Sequence, residues 1–193
     1  MAITCIKYAV SIIALVTLCG AAPDQDEVRL KDFAQGGDFS LTDHNGRRFD
    51  LRSNKGKVIL LYFGYTSCTE ACPAMLGKVA SVFKSIGQKK NHVQVLLVSV
   101  DPQRDTQEAL RKYLAYFNVS AIGLTGSKEQ IDAVVSQYGA KYEVEKSTSA
   151  LGYHVNHTTD LYLIDQSGKI KYIFKHDDHP SLIISGISQL LKQ

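Results

Sequence analysis

Apolar and polar positions alternate across residues 38–51, with Phe39 and Leu41 on one side of Asn45-Gly46 and Phe49 and Leu51 on the other. Period-two spacing about an Asn-Gly pair predicts a β-hairpin with a type I′ turn. Residues 57–65 (Lys-Val-Ile-Leu-Leu-Tyr-Phe-Gly-Tyr) form a continuous apolar run, the pattern of a strand buried on both faces. Leu76, Val79, Val82, Phe83 and Ile86 then recur at helical spacing within residues 70–89. A second buried strand is predicted over residues 93–100. Asp105 reads as the N-cap of the next helix, with Glu108 completing a capping box and Leu110, Tyr113, Leu114 and Phe117 on its apolar face. Ser127 with Gln130 opens a third helix through Ile131, Val134, Val135 and Tyr138. Residues 161–164 and 170–174 alternate about the turn Asp165-Gln166-Ser167-Gly168, a second hairpin, and a closing helix covers residues 181–191.

The order hairpin, β, α, β, α, α, β, β, α is that of an α/β domain, a mixed β-sheet flanked by helices. It matches the thioredoxin-like plan, in which a central strand feeds a helix through a cysteine-bearing loop, here with an added N-terminal β-hairpin. Fold alone leaves the activity open.

The first residues follow a different pattern. One lysine, Lys7, precedes an almost unbroken apolar or small run over residues 8–22, which ends in Gly20-Ala21-Ala22 before Pro23-Asp24. This is the layout of a secretory signal. The run is short of the ~20 residues that span a bilayer, which favours a cleaved leader over a lasting membrane anchor. Cys19 adds lipid modification as a third fate, although Leu18 stands where such sites want a small residue. The division is therefore 1–22 signal peptide or anchor, 23–35 linker and 36–193 one domain. Its destination is export, to a bacterial periplasm, with a tether to the inner membrane as the alternative.

A formal charge of +3, from 22 basic and 19 acidic residues, is too small and too evenly spread for a nucleic-acid partner. Of four cysteines, Cys5 and Cys19 fall in the leading run, which leaves Cys68 and Cys72. Two cysteines four apart close a tiny loop and stabilise little, so their purpose is chemical. They lie between a buried strand and a helix, where ligands collect in α/β sheets and where the helix N-terminus favours thiolates. Pro73 suits the first turn of that helix. Thioredoxins space their cysteines by two residues; three intervene here, leaving room for both sulfurs to converge on a third object. Two thiolates are a soft ligand set suited to Cu(I), which a neutral imidazole would complete. The same pair can form a disulfide.

Residues 62–76 (Tyr-Phe-Gly-Tyr-Thr-Ser-Cys68-Thr-Glu-Ala-Cys72-Pro-Ala-Met-Leu) resemble the copper-binding signature of the SCO/SenC family. Val98-Ser-Val-Asp101-Pro-Gln-Arg-Asp105-Thr resembles its paired-aspartate segment, and Tyr153-His-Val-Asn-His157-Thr its metal-histidine segment. The resemblance implies Cys68, Cys72 and His157 as ligands of one Cu(I) or Cu(II) ion. It implies a metallochaperone rather than an enzyme, delivering copper to cytochrome c oxidase during assembly, at the CuA centre. The implied partners are a copper donor protein and the oxidase subunit carrying that centre. Asp101 and Asp105 are the candidates for partner docking. Asn156 departs from the family's usual aspartate before the histidine, removing one charge near the metal.

His154, three residues before His157, is a second candidate ligand, and His176 and His179 form a weak surface pair. His44 and His92 lie in turns. The alternative function is a thiol–disulfide oxidoreductase that reduces oxidase cysteines. Against it, thioredoxins place a cis-proline before the strand facing their cysteines, whereas residues 155–160 contain none. A peroxidase is a poorer match, because Tyr65 stands where peroxiredoxins carry a threonine.

Overall fold

The computed structural model describes residues 28–117, 119–148 and 152–192; the leading run over residues 1–22 lies outside them. Among the described residues no helix is long and apolar enough to cross a membrane. The described residues form nine strands and four α-helices in chain order: β1 Ser40–Asp43, β2 Arg48–Asp50, β3 Val58–Gly64, α1 Ala71–Ile86, β4 Val93–Ser99, α2 Gln107–Tyr116, β5 Ala121–Thr125, α3 Lys128–Gln137, β6 Tyr142–Lys146, β7 Tyr153–His157, β8 Leu161–Ile164, β9 Ile170–Phe174 and α4 Pro180–Leu190. Seven strands form one sheet in the order β2-β1-β5-β4-β3-β8-β9, and β6-β7 form a separate hairpin.

β3 and β4 run parallel at the centre and are buried along their whole length. Their alternating side chains serve two cores. Val58, Leu60, Tyr62, Val95 and Leu97 pack with α1, α2 and α4, while Ile59, Leu61, Phe63, Leu96 and Val98 pack with α3 and the N-terminal hairpin. Each such side chain removed from water contributes about 1.5–3 kcal/mol, so the two faces fix the register of the centre. The expected thioredoxin-like sheet with its added hairpin is present: β1 pairs β2 and joins the main sheet through β5.

Several expectations need correction. The turn at Asn45-Gly46 is a longer loop than a two-residue type I′ turn, closed by the Asp43 carboxylate, which accepts from the Asn45 and Arg47 N–H groups at 2.8 and 2.9 Å. Thr66, not helix position, claims Asp105: the cap of α2 is Thr106, whose Oγ1 accepts from the Ala109 N–H at 3.1 Å. Glu108 instead pairs with Lys112 on the surface. Ser127 and Gln130 do form their reciprocal capping box. The segment assigned to a linker is partly structured, since Val28 is buried and the Lys31 and Phe33 N–H groups donate to β9 carbonyls.

Candidate metal centre

β3 ends at Gly64, and the chain turns through residues 65–70 into α1. This glycine is required for room: a Cβ there would stand 2.7 Å from Cys72 Sγ and 2.9 Å from a Tyr62 ring carbon. Cys72, fully buried in the first turn of α1, therefore rests its sulfur on the strand backbone. Cys68, half-buried, sits at the helix N-terminus, where its Sγ accepts from the Cys72 N–H at 3.4 Å.

The imidazole comes from β7. Tyr153, Val155 and His157 alternate onto the inner side of the hairpin, while His154 and Asn156 point outward and are exposed. Strand alternation thus separates the two candidate histidines. His157 Nε2 lies 3.5 Å from Cys72 Sγ, and its Nδ1 lies 3.0 Å from the Thr158 carbonyl. In the tautomer that donates its Nδ1 proton to that carbonyl, the Nε2 lone pair would be free for a metal. Tyr62 and Tyr65 meet the imidazole edge-on, with ring centroids 6.0 and 5.6 Å away. The sulfurs of Cys68 and Cys72 and a ring nitrogen of His157 all lie within 4.8 Å of one another, and no other group of three potential ligands gathers among the described residues. His154 pairs with Glu145 at 3.0 Å. His179 caps α4 by accepting from the Ser181 N–H, and His176 does not join it in a ligand set.

The two thiols are unequal. Hydrogen bonding from Cys72, aided by His157 and the N–H groups of Cys72 and Glu70, holds the Cys68 thiol well below the ordinary thiol range against its burial. The same shared proton, together with burial, pushes Cys72 up. Burial and the neighbouring Cys72 likewise raise Tyr62. The shared proton therefore leans towards the buried Cys72 sulfur, and the Cys68 sulfur at the mouth has the greater thiolate character. A metal bound by both sulfurs would replace that shared proton, so its binding would release protons.

Asp101 and Asp105, the expected docking residues, are 3% and 1% exposed and direct their carboxylates inward. Asp105 accepts from the Thr66 N–H at 3.1 Å, from the Thr66 hydroxyl at 2.6 Å and from the Ser99 hydroxyl at 2.6 Å. It thereby ties the cysteine loop to the end of β4. Asp101 pairs with Arg104 and accepts from the Tyr153 hydroxyl at 2.7 Å. Arg104 in turn lies 3.6 Å over the Tyr153 ring and donates to the Tyr153 carbonyl at 3.1 Å. Tyr65 adds its hydroxyl as acceptor for the Val155 N–H at 3.3 Å. One aspartate thus holds the sulfur loop, and the other holds the histidine hairpin. Arg104, Tyr153 and Tyr65 were missed from the sequence; the Tyr-His-Val-Asn-His alternation was the signal for β7.

A shallow opening of about 400 Å³ exposes Cys68 and His157, bounded by Tyr65, Glu70 and Thr159. Beside it, an open groove of about 820 Å³ runs from His157 along β6 and β7 to the end of α3.

A thioredoxin-like domain with two cysteines and a histidine converging on one point has the donor set of a soft-metal-binding protein. The SCO1/SenC family model matches residues 28–192, and the chain belongs to that family. A SCO2-like protein of Rickettsia felis is 36% identical over 150 residues, covering 77% of this chain and 73% of the relative. The solved structure of Bradyrhizobium japonicum ScoI with copper bound is 32% identical with a TM-score of 0.74, over 81% of this chain and 99% of that one. BsSco, a member of the Sco family of cytochrome c oxidase assembly proteins with a disulfide switch, shares the fold at 24% identity and a TM-score of 0.67, over 86% of this chain and 97% of its own.

Proposed function

We propose that the protein is an exported metallochaperone that carries one copper ion between Cys68, Cys72 and His157 and passes it to cytochrome c oxidase during assembly, at the CuA centre. The convergence of two sulfurs and one imidazole nitrogen within 4.8 Å carries this reading. It is supported by the copper held by a relative that is 32% identical and by the family's association with oxidase assembly. Two thiolates and an imidazole suit Cu(I), and they remain competent for Cu(II). Transfer proceeds by ligand exchange at the open side. Cys68 and His157 face the opening and yield first to incoming ligands, whereas Cys72 is buried and releases last. Copper from the donor protein enters through the same opening. Export to the periplasm, with or without a membrane tether, places the domain beside such an acceptor.

The unequal thiols favour one second reading. A half-buried thiolate above a buried thiol is the arrangement of a thiol–disulfide oxidoreductase. Cys68 would attack a disulfide of the oxidase, Cys72 would resolve the mixed disulfide, and the two thiols would leave as one disulfide while the substrate gains two electrons and two protons.

Metal analysis of the reduced protein from residue 24 onward, loaded with copper without oxygen, separates the two. One copper per chain is expected, lost or greatly weakened in Cys68→Ala, Cys72→Ala and His157→Ala. A wild type that retains no copper yet cycles a Cys68–Cys72 disulfide would overturn the chaperone reading.

A further inference from the structure

The charge of the chain is unevenly placed. Residues 51–100 contain seven lysines and arginines against a single acidic residue, Glu70, which lies beside the cysteine loop. The fold gathers three of these lysines, Lys57, Lys84 and Lys90, around one cleft of about 570 Å³. Lys57 precedes β3, Lys84 is in the last turn of α1, and Lys90 lies in the turn between α1 and β4. All three are exposed, and no carboxylate lines the cleft. Its floor is Phe83, Val93 and Gln94, the last tied by its amide to the Val95 and Ser120 carbonyls at 3.0 and 2.9 Å.

The position of the cleft is as informative as its charge. β3 and β4 are parallel and both start here, and β3 runs out to the cysteine loop. Seven residues of strand at about 3.3 Å each put roughly 20 Å between the cleft and the sulfurs. The chain also joins the domain at this end. Gln189 donates to the Val28 carbonyl at 3.0 Å, Gln166 donates to the Leu190 carbonyl at 2.9 Å, and Gly56, next to Lys57, donates to the Gln166 carbonyl at 2.9 Å. Val28 therefore belongs to the same end as the lysines, and the sequence before it contains the apolar run over residues 8–22.

We propose that this cleft docks on the phosphodiester headgroups of an anionic lipid bilayer, standing the domain with its sulfurs and imidazole facing away from the surface. Ammonium groups on flexible stems around an open rim suit a surface of many phosphates. A site for one free phosphate would instead need converging N–H groups or a guanidinium fork. The position of Val28 adds to this choice, since it shares an end with the cations and the apolar run precedes it in sequence.

The test uses the domain from residue 24 onward, because the solved Bradyrhizobium chain, 99% covered by this match, is folded without more. Vesicles of phosphatidylcholine with and without phosphatidylglycerol are sedimented with the protein at low salt. Wild type is expected to sediment with the anionic vesicles only and to be released by high salt. Each of Lys57→Gln, Lys84→Gln and Lys90→Gln is expected to weaken partitioning about fivefold, and the triple variant about a hundredfold. The triple variant Lys128→Gln, Lys141→Gln, Lys146→Gln makes the same charge change elsewhere and is expected to bind as wild type does. Failure of wild type to bind, or an equal loss in this second triple variant, would overturn the proposal. Release by inorganic phosphate too dilute to screen charge would reassign the cleft to a free anion, and polyglutamate outcompeting the vesicles would reassign it to an acidic protein. Copper content measured on the same samples stays at the wild-type value, so failure here is distinguishable from failure of the chaperone reading.

Discussion

Replacing Asp105 tests whether a buried carboxylate far from the metal ligands in sequence holds them in place. Asp105→Ala strips the acceptor from the Thr66 N–H, the Thr66 hydroxyl and the Ser99 hydroxyl. Hydrogen bonds to a charged acceptor contribute about 1.5–3 kcal/mol each, and a buried N–H left alone costs about 1–3 kcal/mol. The two hydroxyls can rotate towards other acceptors, whereas the Thr66 N–H cannot. Part of the loss is offset, because burial of the carboxylate is itself unfavourable and raises its pKa. The net expectation is about 3 kcal/mol in urea unfolding of the reduced, metal-free domain, well short of unfolding a protein of ordinary stability. Thr66 is two residues from Cys68, so the freed loop should also bind copper about 10- to 100-fold more weakly, the range for groups that orient metal ligands. A competing Cu(I) chelator reads that change. Asp105→Asn keeps one acceptor oxygen and should fall about midway. If Asp105→Ala loses less than about 1 kcal/mol and holds copper as tightly as wild type, the carboxylate does not organise the loop.

Asp105 also sets a pH signature. Its folded pKa lies above the ordinary 3.8, chiefly through burial, so the folded state binds the extra proton. Its contribution to stability is full below the ordinary value and is lost as pH rises through the raised one. Relative to wild type, Asp105→Asn should therefore become steadily less unfavourable as pH rises across that window, and urea midpoints measured at several pH values would show a parallel pair of curves if the reasoning fails. Gly64→Ala places a methyl 2.7 Å from Cys72 Sγ. A cost of about 1–3 kcal/mol and weakened copper retention are expected, and unchanged metal stoichiometry and affinity would show that Cys72 is not seated by this contact.

The central strands, four helices and both cysteines were legible in the sequence because long apolar runs and helical spacing are strong signals. β5 escaped because it has only five residues, Ala-Ile-Gly-Leu-Thr, with a glycine in the middle. β6 escaped because its outward positions are glutamates and four of its five residues are exposed, so no apolar stripe marks it. His157 was identified by resemblance, and only the alternation of β7 explains why it, rather than His154, turns inward. Asp105 was misassigned for a different reason. Its sequence neighbourhood favours a cap, but Thr66 and Ser99, distant or offset in the chain, outbid the helix for its oxygens. Such recruitment is tertiary and leaves no local trace.

The three candidate ligands belong to two separately hydrogen-bonded pieces of structure. Both sulfurs ride on the central sheet and α1, while the imidazole rides on a two-stranded hairpin that, among the described residues, shares no ladder with that sheet. Hairpins of two strands are marginal by themselves, and segments of low local stability open independently of the whole. Amide exchange in β7 should accordingly be faster than in β3 and β4, and metal loading should slow it far more than it slows exchange in the core. An ion held by all three would serve as a fastener between a rigid half and a looser one, and its release would return the hairpin its freedom.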